Sequence, residues 1–142
     1  MGGESNGSFT VADGVGQFRG EVAIVPSLQA PGFIKAQTDW NIFKPFPDIS
    51  HCKAIVINAR HTTAEEYKGY RFQMGLQLIP KCSRFSSGFK SIFQVPVSED
   101  FQRIEIPFSN FSDCNSDSTG EPIRKCSDDS SVCPDDFTLY NV

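Results

Sequence analysis

The chain has 142 residues, of which 39% are hydrophobic and 21% charged, with a net charge of −4 at pH 7. That is the length of one domain; no apolar run reaches the ~18 residues of a membrane helix, and charge of mixed sign offers no basic patch for nucleic acid. Thirteen Phe against one Trp and three Tyr suit a core between two sheets, and nine Pro with eleven Gly punctuate many short elements.

In chain order, residues 8–12 and 15–25 predict a hairpin turning at Asp13-Gly14, a favoured tight-turn dipeptide. In its second strand Phe18, Gly20, Val22 and Ile24 share a face, with Arg19 and Glu21 opposite. Pro26 and Pro31 bracket a loop, and Phe33 to Thr38 predicts another short strand. Trp40 to Ser50 is apolar but broken by Pro45 and Pro47, as an irregular covering loop is. Lys53 to Ala59 is nearly all apolar and predicts a central strand covered on both faces.

His61 to Gly69 is polar, with a candidate helical turn at Thr63-Ala64-Glu65-Glu66. Tyr70 to Leu78 then alternates without a break: Tyr70, Phe72, Met74, Leu76 and Leu78 on one face, Arg71, Gln73, Gly75 and Gln77 on the other. The apolar set is expected in the core, and the polar set as a surface for a partner. Phe89 to Val95 and Phe101 to Phe108 predict a second hairpin, with Ile104, Ile106 and Phe108 alternating against Arg103 and Glu105. Residues 112–136 hold Ser, Asp, Asn, Cys, Gly and Pro with almost nothing apolar, and Phe137 to Val142 begins a further strand. Seven or eight short strands with little helix indicate an all-β fold, an antiparallel β-sandwich or jelly roll with long irregular loops. A chain that ends on a strand is expected to be a fragment of its domain.

Catalytic patterns are absent at each place that suggests one. Gly14-Val15-Gly16-Gln17-Phe18-Arg19 half resembles a dinucleotide fingerprint, but Arg19 holds the third glycine position and no βαβ unit surrounds it. Asp113-Cys114-Asn115-Ser116-Asp117 begins like a calcium loop, yet Ser118 and Arg124 stand where Gly and Glu are required. His51 and His61 flank one strand at opposite ends, too far apart to share a metal, and no G-x-S-x-G elbow exists. No enzyme, cofactor or metal is therefore expected.

Five cysteines leave at least one unpaired within the chain. Cys52 and Cys82, in or beside strands, are expected as buried reduced thiols. Cys114, Cys126 and Cys133 share the polar loop, at spacings too wide for a structural zinc site, and are the candidates for a disulfide or for free thiols. The sequons Asn6-Gly7-Ser8 and Asn110-Phe111-Ser112 argue only weakly for secretion, and the polar N-terminus shows no signal or transit peptide.

A protein without catalytic groups works by contact, and loops carry contacts. The candidate partner contacts are Trp40, Phe43, Phe46 and Ile49, with Asp113, Asp117, Arg124 and Lys125 in the acidic loop. The competing reading of Trp40, Phe43 and Phe46 is a lid closing one end of the sandwich.

Several short motifs in order resemble the CIA30 family of complex I intermediate-associated proteins. Met1-Gly2-Gly3-x-Ser5, Phe18-x-Gly20-x-Val22 and Pro31-Gly32-Phe33 resemble its M-G-G-x-S, F-x-G-x-(V/L) and G-G-F blocks. Tyr70-x-Phe72 is similar to its Y-x-(F/L) strand, and Ile106-Pro107-Phe108-x-x-Phe111 to its I-P-F-x-x-F block. Two departures are Asn58-Ala59-Arg60-His61 in place of a G-D-G and the long cysteine-bearing stretch 112–136.

The resemblance implies a galactose-binding-like β-sandwich, here a single CIA30-like domain over 1–142 that lacks the extreme N-terminus and the last strands. It implies a non-catalytic accessory or assembly subunit of a large membrane electron-transfer complex, associating with the membrane through that complex's subunits. The version it most resembles is a peripheral subunit of plastid photosystem I in diatoms and related algae, on the stromal face of the thylakoid. The alternatives are an assembly factor of complex I (NADH:ubiquinone oxidoreductase) in the mitochondrial matrix and a carbohydrate-binding module.

Overall fold

The computed structural model describes residues 4–27, 29–38, 47–65, 67–75, 82, 88–116 and 119–134. Every sheet in them is antiparallel, and helix is limited to two single 3-10 turns, Phe108–Asn110 and Ser130–Val132. The fold is all-β. Contacts divide the chain into two compact units, Met1–Phe43 and Lys44–Val142.

In the first unit, β1 (Asn6–Ala12) and β2 (Val15–Glu21) form the expected hairpin. Asp13 and Gly14 both take positive φ (52° and 76°), the geometry of a turn whose twist matches that of its strands. The register pairs Gly7 with Gly20, Phe9 with Phe18 and Val11 with Gly16, so one face is apolar and glycine-rich. The two glycines admit Ile34: a Cβ at Gly20 would collide with the Ile34 side chain and lie 2.5 Å from the Asn6 carbonyl. The second strand does not run on to residue 25. It stops at Glu21, and β3 (Ile24–Val25) pairs instead with β4 (Ala30–Pro31). Phe33 to Thr38 is not a strand, and Phe33 is 80% exposed. The expectation failed because Pro31 and Gly32 already spend the return: the Gly32 amide donates to the Ala23 carbonyl at 2.8 Å and closes the pair there.

The second unit holds β5 (Ala54–Ala59), β6 (Arg71–Met74), β7 (Phe89–Ile92) and β8 (Gln102–Pro107). The expected hairpin between β7 and β8 does not form: β7 pairs with β6, and β8 pairs with β5. Beyond β7 the chain runs beside His61, whose amide donates to the Pro96 carbonyl at 3.3 Å and whose carbonyl accepts from Ser98. It is thereby carried to β5, where Ile106 faces Ile55 and Ile104 faces Ile57. The two ladders share a core of Met74, Phe89, Ile106 and Phe111, with Ile49, Ile55, Ile57, Phe72, Phe93, Ile104 and Phe108 packed against it.

Two further expectations are corrected. β5 is covered on one face only, since Val56 is 45% exposed opposite Glu105. β6 ends at Met74 because Gly75, at φ +68°, leaves the extended region; Leu76, Gln77 and Leu78 lie outside the described residues. The stretch after His61 makes bends, not a helical turn, through Glu65.

Candidate functional site

The loop after β8 folds onto β6 and β7 as a structured unit. Phe111, Ser112, Asp113, Cys114 and Asn115 are each at most 2% exposed, the most continuous buried run among the described residues. Polar atoms tolerate such burial when hydrogen-bonded. Lys90 and Ser112 exchange both backbone bonds at 2.9 Å, which extends the β7 edge. The Ser112 hydroxyl accepts from the Cys114 amide at 2.9 Å, the Asn115 side-chain amide donates to the Ser112 carbonyl at 2.9 Å, and the Asp113 amide donates to the Val132 carbonyl.

Two disulfides hold this loop. Cys82 pairs with Cys114 across a sequence separation of 32, and Cys126 pairs with Cys133 across 7. Of the three cysteines of the polar loop, Cys126 and Cys133 are bonded to each other and Cys114 to Cys82. The expectation for the other two cysteines is overturned: Cys82 is bonded, and Cys52 is a free thiol that is exposed, since it stands in the turn before β5. Cys114 is fully buried, and its partner comes from another segment of the chain.

Arg71 fastens the loop from the outward face of β6. Its guanidinium donates to the carbonyls of Gly69 (3.1 Å), Thr119 (3.0 Å) and Gly120 (3.2 Å) and reaches the Glu121 carboxylate at 3.2 Å. The polar face of β6, read from the sequence as a surface for a partner, is in this part covered by the protein's own acidic loop.

Trp40, Phe43, Phe46 and Asp117 lie outside the described residues. Ile49 packs against the core, and Asp113 is 1% exposed, so neither side chain faces outward. Arg124 and Lys125 are exposed. Arg124 pairs with Asp129 at 2.6 Å and also donates to the Cys82 sulfur at 3.2 Å. Asp129 caps the second 3-10 turn, and hydrogen bonds from Ser131, with a smaller effect of Arg124, hold its carboxyl below the usual range. Cys82 was the residue sequence reasoning missed as a site member, and nothing in its local sequence signals the bridge. Arg71, read from alternation as part of a partner surface, instead holds the loop.

His51 and His61 stand beyond opposite ends of β5, as expected. His61 Nδ1 lies 3.0 Å from the Tyr70 hydroxyl, and Nε2 lies 2.7 Å from the Glu65 carbonyl. A carbonyl only accepts, so Nε2 carries the proton of that contact. Tyr70 stacks on Phe93 and meets Tyr67 edge-on; burial, with a smaller effect of Tyr67, pushes its hydroxyl pKa up. This group joins the His61 segment to β6. Among the described residues, no three His, Cys, Asp or Glu side chains converge as a metal site would.

Antiparallel ladders around a Phe-rich core, with a disulfide-tied loop folded over one of them, define an all-β protein. The family model for Complex I intermediate-associated protein 30 (CIA30) matches residues 1–125, and the chain belongs to that family. No curated protein and no solved structure matches it. Cys82 and Cys114 lie within the matched residues, Cys126 and Cys133 beyond them.

Proposed function

We propose that this chain is a non-catalytic accessory or assembly protein of a large membrane electron-transfer complex, acting through protein contacts. The observation that carries the reading is the match to the Complex I intermediate-associated protein 30 family over residues 1–125. The structure is compatible with it in kind. Its loop is held by covalent and ionic ties to a folded core, and such a loop presents side chains at low entropic cost on binding. Arg124 and Lys125 are exposed cations of that loop. No helix among the described residues is long and apolar enough to cross a membrane, so attachment through partner subunits is the arrangement proposed.

Complex I assembly is the reading closest to the family's own description. A peripheral place on plastid photosystem I, at the stromal face of the thylakoid, is the finer alternative. One experiment addresses both: affinity-tagged protein is expressed in its native cells, membranes are solubilised in mild detergent, and the tag is followed on native gels with mass spectrometry of the band. Comigration with complex I subunits or its assembly intermediates supports the first, and comigration with photosystem I the second. Migration only as a free monomer overturns the assembly reading altogether, and binding to a glycan array would replace it with carbohydrate recognition.

A further inference from the structure

The Arg124 guanidinium makes a contact that its ion pair does not require. Nη1 is fixed on Asp129 Oδ2 at 2.6 Å, while Nη2 donates to the Cys82 sulfur at 3.2 Å. A cation on a cysteine sulfur stabilises the thiolate there. The two cysteines of this bridge also differ in access, since Cys82 is exposed and Cys114 is 0% exposed.

We propose that Cys82–Cys114 is a thiol-exchange site, opened at Cys82 by an external protein dithiol and biased toward the reduced state by Arg124. A thiolate of the dithiol attacks the accessible Cys82 sulfur. The Cys82–Cys114 bond breaks, its electron pair leaves on Cys114, and that sulfur takes a proton because burial disfavours its charge. A mixed disulfide now joins Cys82 to the reductant. The second thiol of the reductant, deprotonated, attacks its own sulfur in that bond, and Cys82 departs as a thiolate beside Arg124. Two electrons pass from the dithiol, which becomes a disulfide, to the Cys82–Cys114 pair. A leaving thiol of lowered pKa departs faster, and a stabilised thiolate product raises the reduction potential of the pair.

The Cys126–Cys133 bridge provides a contrast within the same loop. It closes a separation of 7 rather than 32, so loop closure disfavours it less, and its Cys133 sulfur lies against the Cys126 and Asp129 carbonyls rather than a guanidinium. Reduction of Cys82–Cys114 removes a covalent tie at the root of the segment that bears Arg124 and Lys125. The proposal does not rest on the assembly reading, because it concerns the bridge alone.

The test is a redox titration of the full chain in mixtures of reduced and oxidised dithiothreitol at pH 8, with alkylation and peptide mass spectrometry reporting each bridge separately. Cys82–Cys114 is expected to open at a less reducing ratio than Cys126–Cys133. Arg124→Gln is expected to move the midpoint of the first bridge about fivefold toward more reducing ratios and to leave the second unmoved. Arg124→Lys, which keeps the charge, should retain most of the parent midpoint. Circular dichroism of the oxidised variants confirms that each is folded. Equal or reversed order of opening, or an Arg124→Gln titration that superimposes on the parent, overturns the proposal.

Discussion

The hairpin β1–β2 and the ladders β5–β8 and β6–β7 carry the same kind of pattern and meet different fates. In the hairpin every residue is exposed, Phe9 at 53% and Val11 at 68%, although the register collects Phe9, Val11 and Phe18 on one face. In the second unit Ile106 is 1% exposed and Phe111 fully buried, because the other ladder and the returning loop close over them. Alternation specifies which side chains share a face. Whether that face is covered depends on a second layer arriving, and that information is not in the strand.

The widest test of this contrast is truncation of an aromatic in each unit. Phe111 meets Phe72 and Phe108 edge-on, with centroids 6.2 and 6.1 Å away. Phe111→Ala should lose about 3–5 kcal/mol in urea denaturation, the range for a buried aromatic truncated to a cavity. Phe9→Ala should lose under about 1 kcal/mol, since half of that side chain is already in water. Equal losses would break the comparison by showing that the hairpin face is covered in solution.

A smaller effect belongs to the hairpin itself. In Gly20→Ala the new methyl meets the Asn6 carbonyl and the Gly7 Cα (2.5 and 2.8 Å) as well as the Ile34 side chain, and backbone does not yield as a side chain does. The expected loss is about 1–3 kcal/mol, the range for overpacking. Amide hydrogen exchange should show it in β1 and β2 while β5 and β8 keep their protection. Loss of protection throughout would mean the two units unfold as one.

Next comes the clamp of Arg71. Its pair with Glu121 is solvated, the two side chains being 30% and 59% exposed, and such a pair contributes at most about 1 kcal/mol. Three carbonyls accept from the same guanidinium. Glu121→Gln should therefore change stability by under about 0.5 kcal/mol, and Arg71→Met by about 1–2 kcal/mol. The Arg71→Met loss should persist in 0.5 M salt, which screens the ion pair but not the carbonyl bonds. A loss abolished by salt would return the ion pair to first place.

The features that could be read from the sequence are those set by neighbours in the chain. Asp13-Gly14 dictates its turn, and Ile104 and Ile106 face inward against Arg103 and Glu105 as their spacing says. Pairing partners were not legible. Phe89–Ile92 and Gln102–Pro107 look like a hairpin, but each finds its complement in an earlier strand, because alternation defines a face and not the ladder beside it. The same limit hid the bridge between Cys82 and Cys114: connectivity among five cysteines is a fact of the folded chain. The polarity of 112–136 gave no sign that internal hydrogen bonds let Ser112 and Asn115 be buried.

The smallest effect tests how far cover extends toward the His61 segment. Tyr70 is pushed above the usual tyrosine value of 10.0, by burial first and by Tyr67 second. In the unfolded chain its phenol ionises near 10, while in the folded state it keeps its proton to higher pH. Between those values the unfolded state binds fewer protons, so stability falls as pH rises through 10 and upward. Below pH 10 both states are protonated and this group contributes no pH dependence. Absorbance at 295 nm should show a phenol titrating late in the parent and missing in Tyr70→Phe, and the parent's loss of stability above pH 10 should be smaller in that variant. A Tyr70 that ionises with free tyrosine would place its hydroxyl in water and detach it from His61, so that the covered region would end at Phe72 rather than two residues earlier, at Tyr70.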